Sequence, residues 1–161
     1  MFRRIGLDVG GVITDAIGND GTDTDLRGEN FMKTTAVAGA YDAGRQIVGR
    51  YGAENVFIIS KCGEVTESKT RKWLAGNNFY EYTGFDVDNL RFCRTRADKA
   101  PIAQELGITD FVDDRADVLA YMTEIVPRRY LFGPQPDKTQ NTEGLIVVRN
   151  WEEALKAIFQ A

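Results

Sequence analysis

The chain has 161 residues, of which 43% are hydrophobic and 27% charged, with a formal net charge of -4. This length and balance suit one domain over residues 1–161 with a continuous buried core, and the acidic charge argues against general affinity for nucleic acid or anionic membranes. The sequence contains no histidine, which removes Ser-His-Asp, Cys-His and histidine-metal chemistry and leaves carboxylates, hydroxyls, lysines and hard cations. Neither a membrane-spanning run nor a signal-peptide pattern is present, so the expected location is cytoplasmic, without a membrane or nucleic-acid partner. Cys62 and Cys93, without CxxC spacing, are expected to be reduced thiols.

The first apolar run, "RRIGLDV" (3–9), places Asp8 at a strand end, one residue, Val9, ahead of Gly10 and Gly11. Residues 16–35 are rich in Gly, Asp, Asn and Thr and read as a loop or small hairpin over one end of a sheet. A helix is expected over 39–51, carrying Ile47 and Val48 and stopping at Gly52. The run "NVFIIS" (55–60) ends in Ser60, and a second helix over 64–75 carries Val65, Trp73 and Leu74 to a stop at Gly76.

After "LRFCRT" (90–95), a short helix is expected over 98–106, with Asp98 as N-cap, Pro101 in the first turn and Gly107 as the stop. Three further runs follow: "DFVDD" (110–114), "RRYLFG" (128–133) and "LIVVR" (145–149). A loop over 132–144 separates the last two, and Asn150 can cap the final helix, "WEEALKAIF". Apolar runs alternating with helical segments predict an α/β fold, a three-layer Rossmann-like parallel sheet with helices on both faces. In such sheets ligands bind beyond the carboxyl ends of the strands, where Asp8, Ser60, Arg94 with Thr95, and Asp113 with Asp114 are expected.

A carboxylate at Asp8 can attack phosphorus, and the following glycines, Gly11 among them, let backbone amides approach an anion. Ser60 offers a hydroxyl and an amide to a phosphate oxygen, with Lys61 beside it; Lys99 offers a positive charge from the first turn of its helix. Asp113 and Asp114 would repel one another without a compensating cation, and magnesium suits such oxygen ligands. Each residue also has a simpler use. Asp8 can cap a turn, Asp113-Asp114 can cap a helix, Ser60 can satisfy backbone groups, and Lys99 can be a solvated helix residue. Lys61, Arg94, Arg96 and Arg115 read either as a basic rim for an anionic substrate or as scattered solvated charges.

The order Asp, Ser, Lys, Asp-Asp resembles the haloacid dehalogenase (HAD) superfamily of hydrolases and phosphotransferases, over roughly residues 3–122. "GLDVGGVITD" looks like its first motif, "VFIIS" its second, Lys99 in "RADKAPIAQELGI" its third and "FVDDRADVL" its fourth. The resemblance implies a HAD-like fold and a magnesium-dependent phosphatase in which Asp8 is the nucleophile and forms an aspartyl-phosphate. It implies that Gly10 coordinates magnesium through its carbonyl, that Ser60 binds phosphate, and that Lys99 pairs with the nucleophile. Asp114 would be a direct metal ligand, and Asp113, with Asp117 as a further candidate, would hold metal-bound water. The chain departs from this pattern at Gly10, where phosphatases of the superfamily usually carry the Asp that protonates the leaving group. It also leaves no room for a large cap domain, only a small flap over 14–35.

The substrate class implied is a phosphorylated small molecule or macromolecule. An alternative is a catalytically weakened relative that binds a phosphorylated ligand in a regulatory role. A response-regulator receiver fits less well, because there the acidic pair comes first and the lysine last. A dehalogenase would tolerate Gly10, yet the missing cap removes the pocket for a small haloacid.

Overall fold

Six short runs pair side by side, all parallel: β1 (Ile5–Leu7), β2 (Val56–Lys61), β3 (Leu90–Cys93), β4 (Asp110–Asp113), β5 (Arg128–Phe132) and β6 (Ile146–Val148). The structure is a computed structural model that describes residues 2–15 and 26–160. The strand order is β3-β2-β1-β4-β5-β6. The chain therefore builds outward from β1 to β3, then returns across the sheet to place β4 against the other side of β1. That reversal opens a crevice at the carboxyl ends of β1 and β4, the usual ligand position in a doubly wound sheet.

Both faces of the sheet are covered, and the strands alternate accordingly. Val56 and Ile58 point into one core and Phe57 and Ile59 into the other; Val112, Tyr130 and Phe132 join the first, Phe111 and Leu131 the second. The first core is closed by α1 (Ala40–Tyr51), α2 (Glu64–Gly76), α3 (Phe79–Thr83) and α6 (Trp151–Gln160); the second by α4 (Lys99–Leu106) and α5 (Ala116–Ala120). Gly6 in β1 marks how tightly the second layer sits, since a Cβ there would lie 2.8 Å from the Phe111 ring.

The strands and four of the helices lie where the sequence predicts, within a residue or two at their ends. Asn150 caps α6, its Oδ1 accepting the Glu153 N–H at 2.9 Å. Asp98 makes no such cap for α4: its own N–H is instead held by Thr95 Oγ1 at 3.3 Å, so the preceding turn closes the helix start. The two five-residue helices α3 and α5 are too short to show a 3.6-residue period. The aromatic group Trp73, Phe79 and Tyr80 is packing material, with Tyr41 edge-on to both Trp73 and Phe79. Of the expected flap, residues 16–25 lie outside the described residues. Its far end returns as Phe31–Lys33, and an antiparallel bridge ties Thr14 to Ala36.

At the amino ends of the central strands, Asp110 is fully buried and collects Arg3, Arg128, the Tyr130 hydroxyl and the Thr109 hydroxyl. Burial alone would raise its pKa. The hydrogen bonds from Arg128, Arg3 and Thr109 outweigh burial and hold it below the ordinary 3.8. Asp110 thus contributes stability above its unfolded pKa that is lost as pH falls through the lowered folded value. Asp110→Ala leaves two guanidinium groups without their shared carboxylate and is expected to cost about 3–5 kcal/mol in denaturant unfolding at neutral pH. The difference from wild type should shrink as pH falls below the ordinary carboxylate value of 3.8 and through the lowered folded one.

Candidate active site

β1 ends at Leu7, and the next residue keeps the strand's last rung, the Asp8 N–H donating to Val112 O at 3.0 Å. The chain then turns at once: the Val9 carbonyl accepts from the amides of Val12, Ile13 and Thr14 at 2.8–3.1 Å. The two glycines of this turn have different physical reasons. Gly11 has φ +82°, and a Cβ there would overlap the Asp114 carboxylate, so both backbone and space require glycine. Gly10 is exposed, and a Cβ on it would meet nothing within 4 Å. From behind, Trp151 Nε1 donates to Val12 O at 2.9 Å and fixes the turn to α6.

β4 supplies the acidic pair. Asp113 is 1% exposed and its Oδ1 accepts the Arg115 N–H at 3.0 Å; it therefore caps the following turn while its other oxygen, Oδ2, faces Lys99. Asp8, Asp113 and Asp114 each bring a carboxylate oxygen to within 4.8 Å of the others. Lys99, only 2% exposed, bridges two of them, with Nζ 2.9 Å from Asp8 Oδ1 and 2.8 Å from Asp113 Oδ2.

Three carboxylates face one ammonium, and the electrostatics follow. Burial alone would lower the Lys99 pKa, but Asp8 and Asp113 raise it well above the usual lysine value. Burial, then the Asp8 charge, push Asp113 far above the ordinary carboxylate range, with Lys99 opposing; Asp114 rises for the same two leading reasons, with Asp113 adding to them. The site is short of positive charge. An all-oxygen donor set of this kind, in a chain without histidine and with its cysteines outside the cluster, suits a hard divalent cation such as magnesium.

The carboxylates floor a cleft of about 440 Å³, whose walls include Ser60 and Lys61 at the end of β2. Ser60 is buried and Lys61 exposed. Gly10 lines the cleft, and so does the buried Thr14, whose hydroxyl oxygen is itself buried and has no hydrogen-bond partner among the described residues. Gly11 lies behind the cleft surface, its N–H donating to Thr14 O at 2.7 Å. Asp117 stands apart from the acidic cluster, in a two-pronged pair with the Arg115 guanidinium at 3.0 Å. Arg94 is held by Cys62 O and Glu67. Burial pushes the Cys62 thiol up, away from reactivity.

Sequence reasoning passed over Gln135. Its Nε2 donates to Asp114 O at 2.9 Å and Phe132 O at 3.2 Å, so the loop after β5 positions the acidic pair. A lone Gln between two prolines carried no signal for this role. Asp15, at the cleft wall and bonded to the Thr35 hydroxyl, was likewise not singled out.

No protein-family model matches the sequence, and no curated protein does. Among solved structures, the chain is similar to the crystal structure of a HAD-superfamily hydrolase from Ehrlichia chaffeensis, with a TM-score of 0.63 and 11% identity over 98% of this chain and 96% of that one. A de novo designed Rossmann 3x3 protein aligns over 98% of this chain and 93% of its own with a TM-score of 0.44 and 11% identity. The first likeness, with the strand order, defines the fold as Rossmann-like α/β of the HAD-like kind. Among the described residues, no helix is long and apolar enough to cross a membrane.

Lys99→Met keeps the bulk and removes the charge. It is expected to cost about 3–5 kcal/mol of stability at neutral pH in the metal-free protein. Because the folded pKa values of Asp113 and Asp114 already lie above the unfolded 3.8, these groups lose stability as pH rises through that interval, and more so without Lys99. The deficit of the variant should therefore shrink on acidification towards about pH 4, as measured by urea unfolding across pH.

Proposed function

We propose that this protein is a magnesium-dependent hydrolase, a phosphatase acting through an aspartyl-phosphate at Asp8 on a phosphorylated substrate. The observation that carries the reading is the Lys99 bridge: a buried ammonium holding Asp8 at a strand end, 2.9 Å away, and Asp113 at 2.8 Å, with Asp114 in the same cluster. The fold likeness to a HAD-superfamily hydrolase supports it. So does the register of the sequence motifs, whose residues Asp8, Ser60, Lys99, Asp113 and Asp114 line one cleft.

Asp8, Asp113 and Asp114, with the Gly10 carbonyl, would hold magnesium, which would neutralise charge on the phosphoryl oxygens. The remaining work falls to the chain itself. Lys99 orients the Asp8 carboxylate through its 2.9 Å contact with Oδ1. An oxygen of Asp8 attacks phosphorus, forming an O–P bond as the ester P–O bond breaks; the leaving oxygen departs with the electron pair and takes its proton from water. Ser60 and Lys61 receive the phosphoryl oxygens. A water oxygen then attacks phosphorus, its proton passes to solvent, and the Asp8 O–P bond breaks with its electron pair returning to the carboxylate. Inorganic phosphate leaves.

At Gly10 there is no carboxyl to assist either proton transfer, which favours substrates with good leaving groups. The same feature favours a second reading, a regulatory protein that binds a phosphorylated ligand without turnover. The discriminating assay is magnesium-dependent phosphate release from an activated aryl phosphate, acetyl phosphate and a panel of natural monoesters. Release is expected for the activated substrates and is expected to vanish in Asp8→Asn. Magnesium-dependent ligand binding with no turnover of any of them would transfer the assignment to the binding protein.

Gly10→Asp provides an independent prediction. With nothing within 4 Å of the new Cβ, the variant should fold with little change in melting temperature. It is expected to raise turnover of alkyl phosphates by about 10²–10⁴-fold, the usual worth of a positioned acid or base, while aryl phosphates gain less.

A further inference from the structure

The charges around the cleft are sorted by depth. On the floor, Asp8, Asp113 and Asp114 outnumber Lys99; around the rim, among the described residues, the lining holds Arg27, Lys61, Arg96 and Arg115 with one acid, Asp15, while Asp117 stands outside the lining against Arg96 and Arg115. These cations are not equivalent. Arg115 is engaged by Asp117 through two hydrogen bonds at 3.0 Å, whereas Arg96 lies 3.8 Å from that same carboxylate, beyond hydrogen-bond distance and half exposed. Lys61 has no ion-pair partner among the described residues.

Arg96 and Lys99 belong to one turn, the Lys99 N–H donating to Arg96 O at 3.3 Å. One turn thus sends a cation to the floor, against Asp8, and another to the rim. A phosphoryl group seated at Asp8 would meet Lys99, and Arg96 would be left to face whatever the phosphate carries. The cleft, at about 440 Å³, has the volume of a pocket for a whole small molecule rather than for a phosphate alone. Its described lining holds no aromatic side chain, so among the described residues no platform for stacking a base or aryl ring is at hand.

We propose that the ligand of this cleft is a small, non-aromatic phosphate monoester bearing a second anionic group, carboxylate or phosphate, which Arg96 reads at the rim, with Lys61 a further cation lining the same cleft. The proposal rests on the phosphoryl-binding reading above and adds the chemistry of the rest of the substrate. Arginine suits this position because its planar fork can grip a carboxylate or phosphate with two hydrogen bonds.

The test is calorimetric binding to the full chain in saturating magnesium, with three phosphonates whose C–P bonds resist hydrolysis: methylphosphonate, phosphonoacetate and phenylphosphonate. Phosphonoacetate is expected to bind about tenfold tighter than methylphosphonate, and phenylphosphonate no tighter than methylphosphonate. Arg96→Ala should reduce the phosphonoacetate preference to within about twofold, while Arg94→Ala, a charge loss outside the cleft, should preserve it. Magnesium chelation by the probes is the same for every variant and cancels in that comparison.

A wild-type ratio near one, a preference unaffected by Arg96→Ala, phenylphosphonate matching phosphonoacetate, or no binding of any probe would each overturn the proposal. Its failure is separable from that of the hydrolase reading. An Arg96-dependent preference without turnover of any monoester retains the proposal and removes the hydrolase, whereas Asp8-dependent turnover without the preference does the opposite.

Discussion

A lysine sealed beneath a cleft, with carboxylates on two sides, is the constraint on which the site depends. Lys99 is 2% exposed and spans Asp8 and Asp113 at 2.9 and 2.8 Å. Removing an ammonium from water is costly, and the cost is offset only where opposite charges and hydrogen bonds replace the hydration shell. Here the offset comes from strands that are neighbours in the sheet but more than a hundred residues apart in the chain. The bridge ties β1 to β4 through the first turn of α4 at the switch in strand order.

The charge left over explains the rest of the floor. Three acids and one lysine do not balance, so Asp113 and Asp114 resist ionisation until further positive charge is supplied. A packed structural ion-pair network would tend to end neutral and closed; this one is electron-rich, open to a cleft and braced from behind by Trp151 and Gln135. At the opposite end of the sheet, Asp110 shows the contrasting case. Two arginines, a tyrosine and a threonine saturate one carboxylate, its pKa falls, and the cluster serves to lock strands. The same residue type in the same strand thus has opposite electrostatic behaviour at its two ends.

Gly10 and Gly11 show how adjacent identical residues can differ in cause. Gly11 is required by a left-handed backbone and by the Asp114 carboxylate pressing on it, whereas Gly10 stands in open space. The glycine at position 10 thus has no steric reason behind it. On the proposed hydrolase reading, proton transfer there would fall to water or to the substrate itself.

Much of the architecture was legible in the sequence because a parallel sheet covered on both faces leaves near-continuous apolar runs, and Gly52, Gly107 and Asn150 punctuate the helices between them. Strand ends, and with them the polar residues Asp8, Ser60 and Asp113-Asp114, follow from that pattern. α3 and α5 did not, since five residues hold too little periodicity. Nor did the difference among the basic residues: Arg94, Arg96 and Arg115 are alike as letters, yet one is tied to Glu67, one is gripped by Asp117 through two hydrogen bonds, and one lies at the looser distance of 3.8 Å from that same carboxylate at the rim. By itself the sequence determined which chemical groups exist, their order, and the secondary structure that carries them to strand ends. The tertiary structure decided which charges meet, because burial and pairing depend on strands brought together across long stretches of chain. Those two quantities turn a list of aspartates into a site.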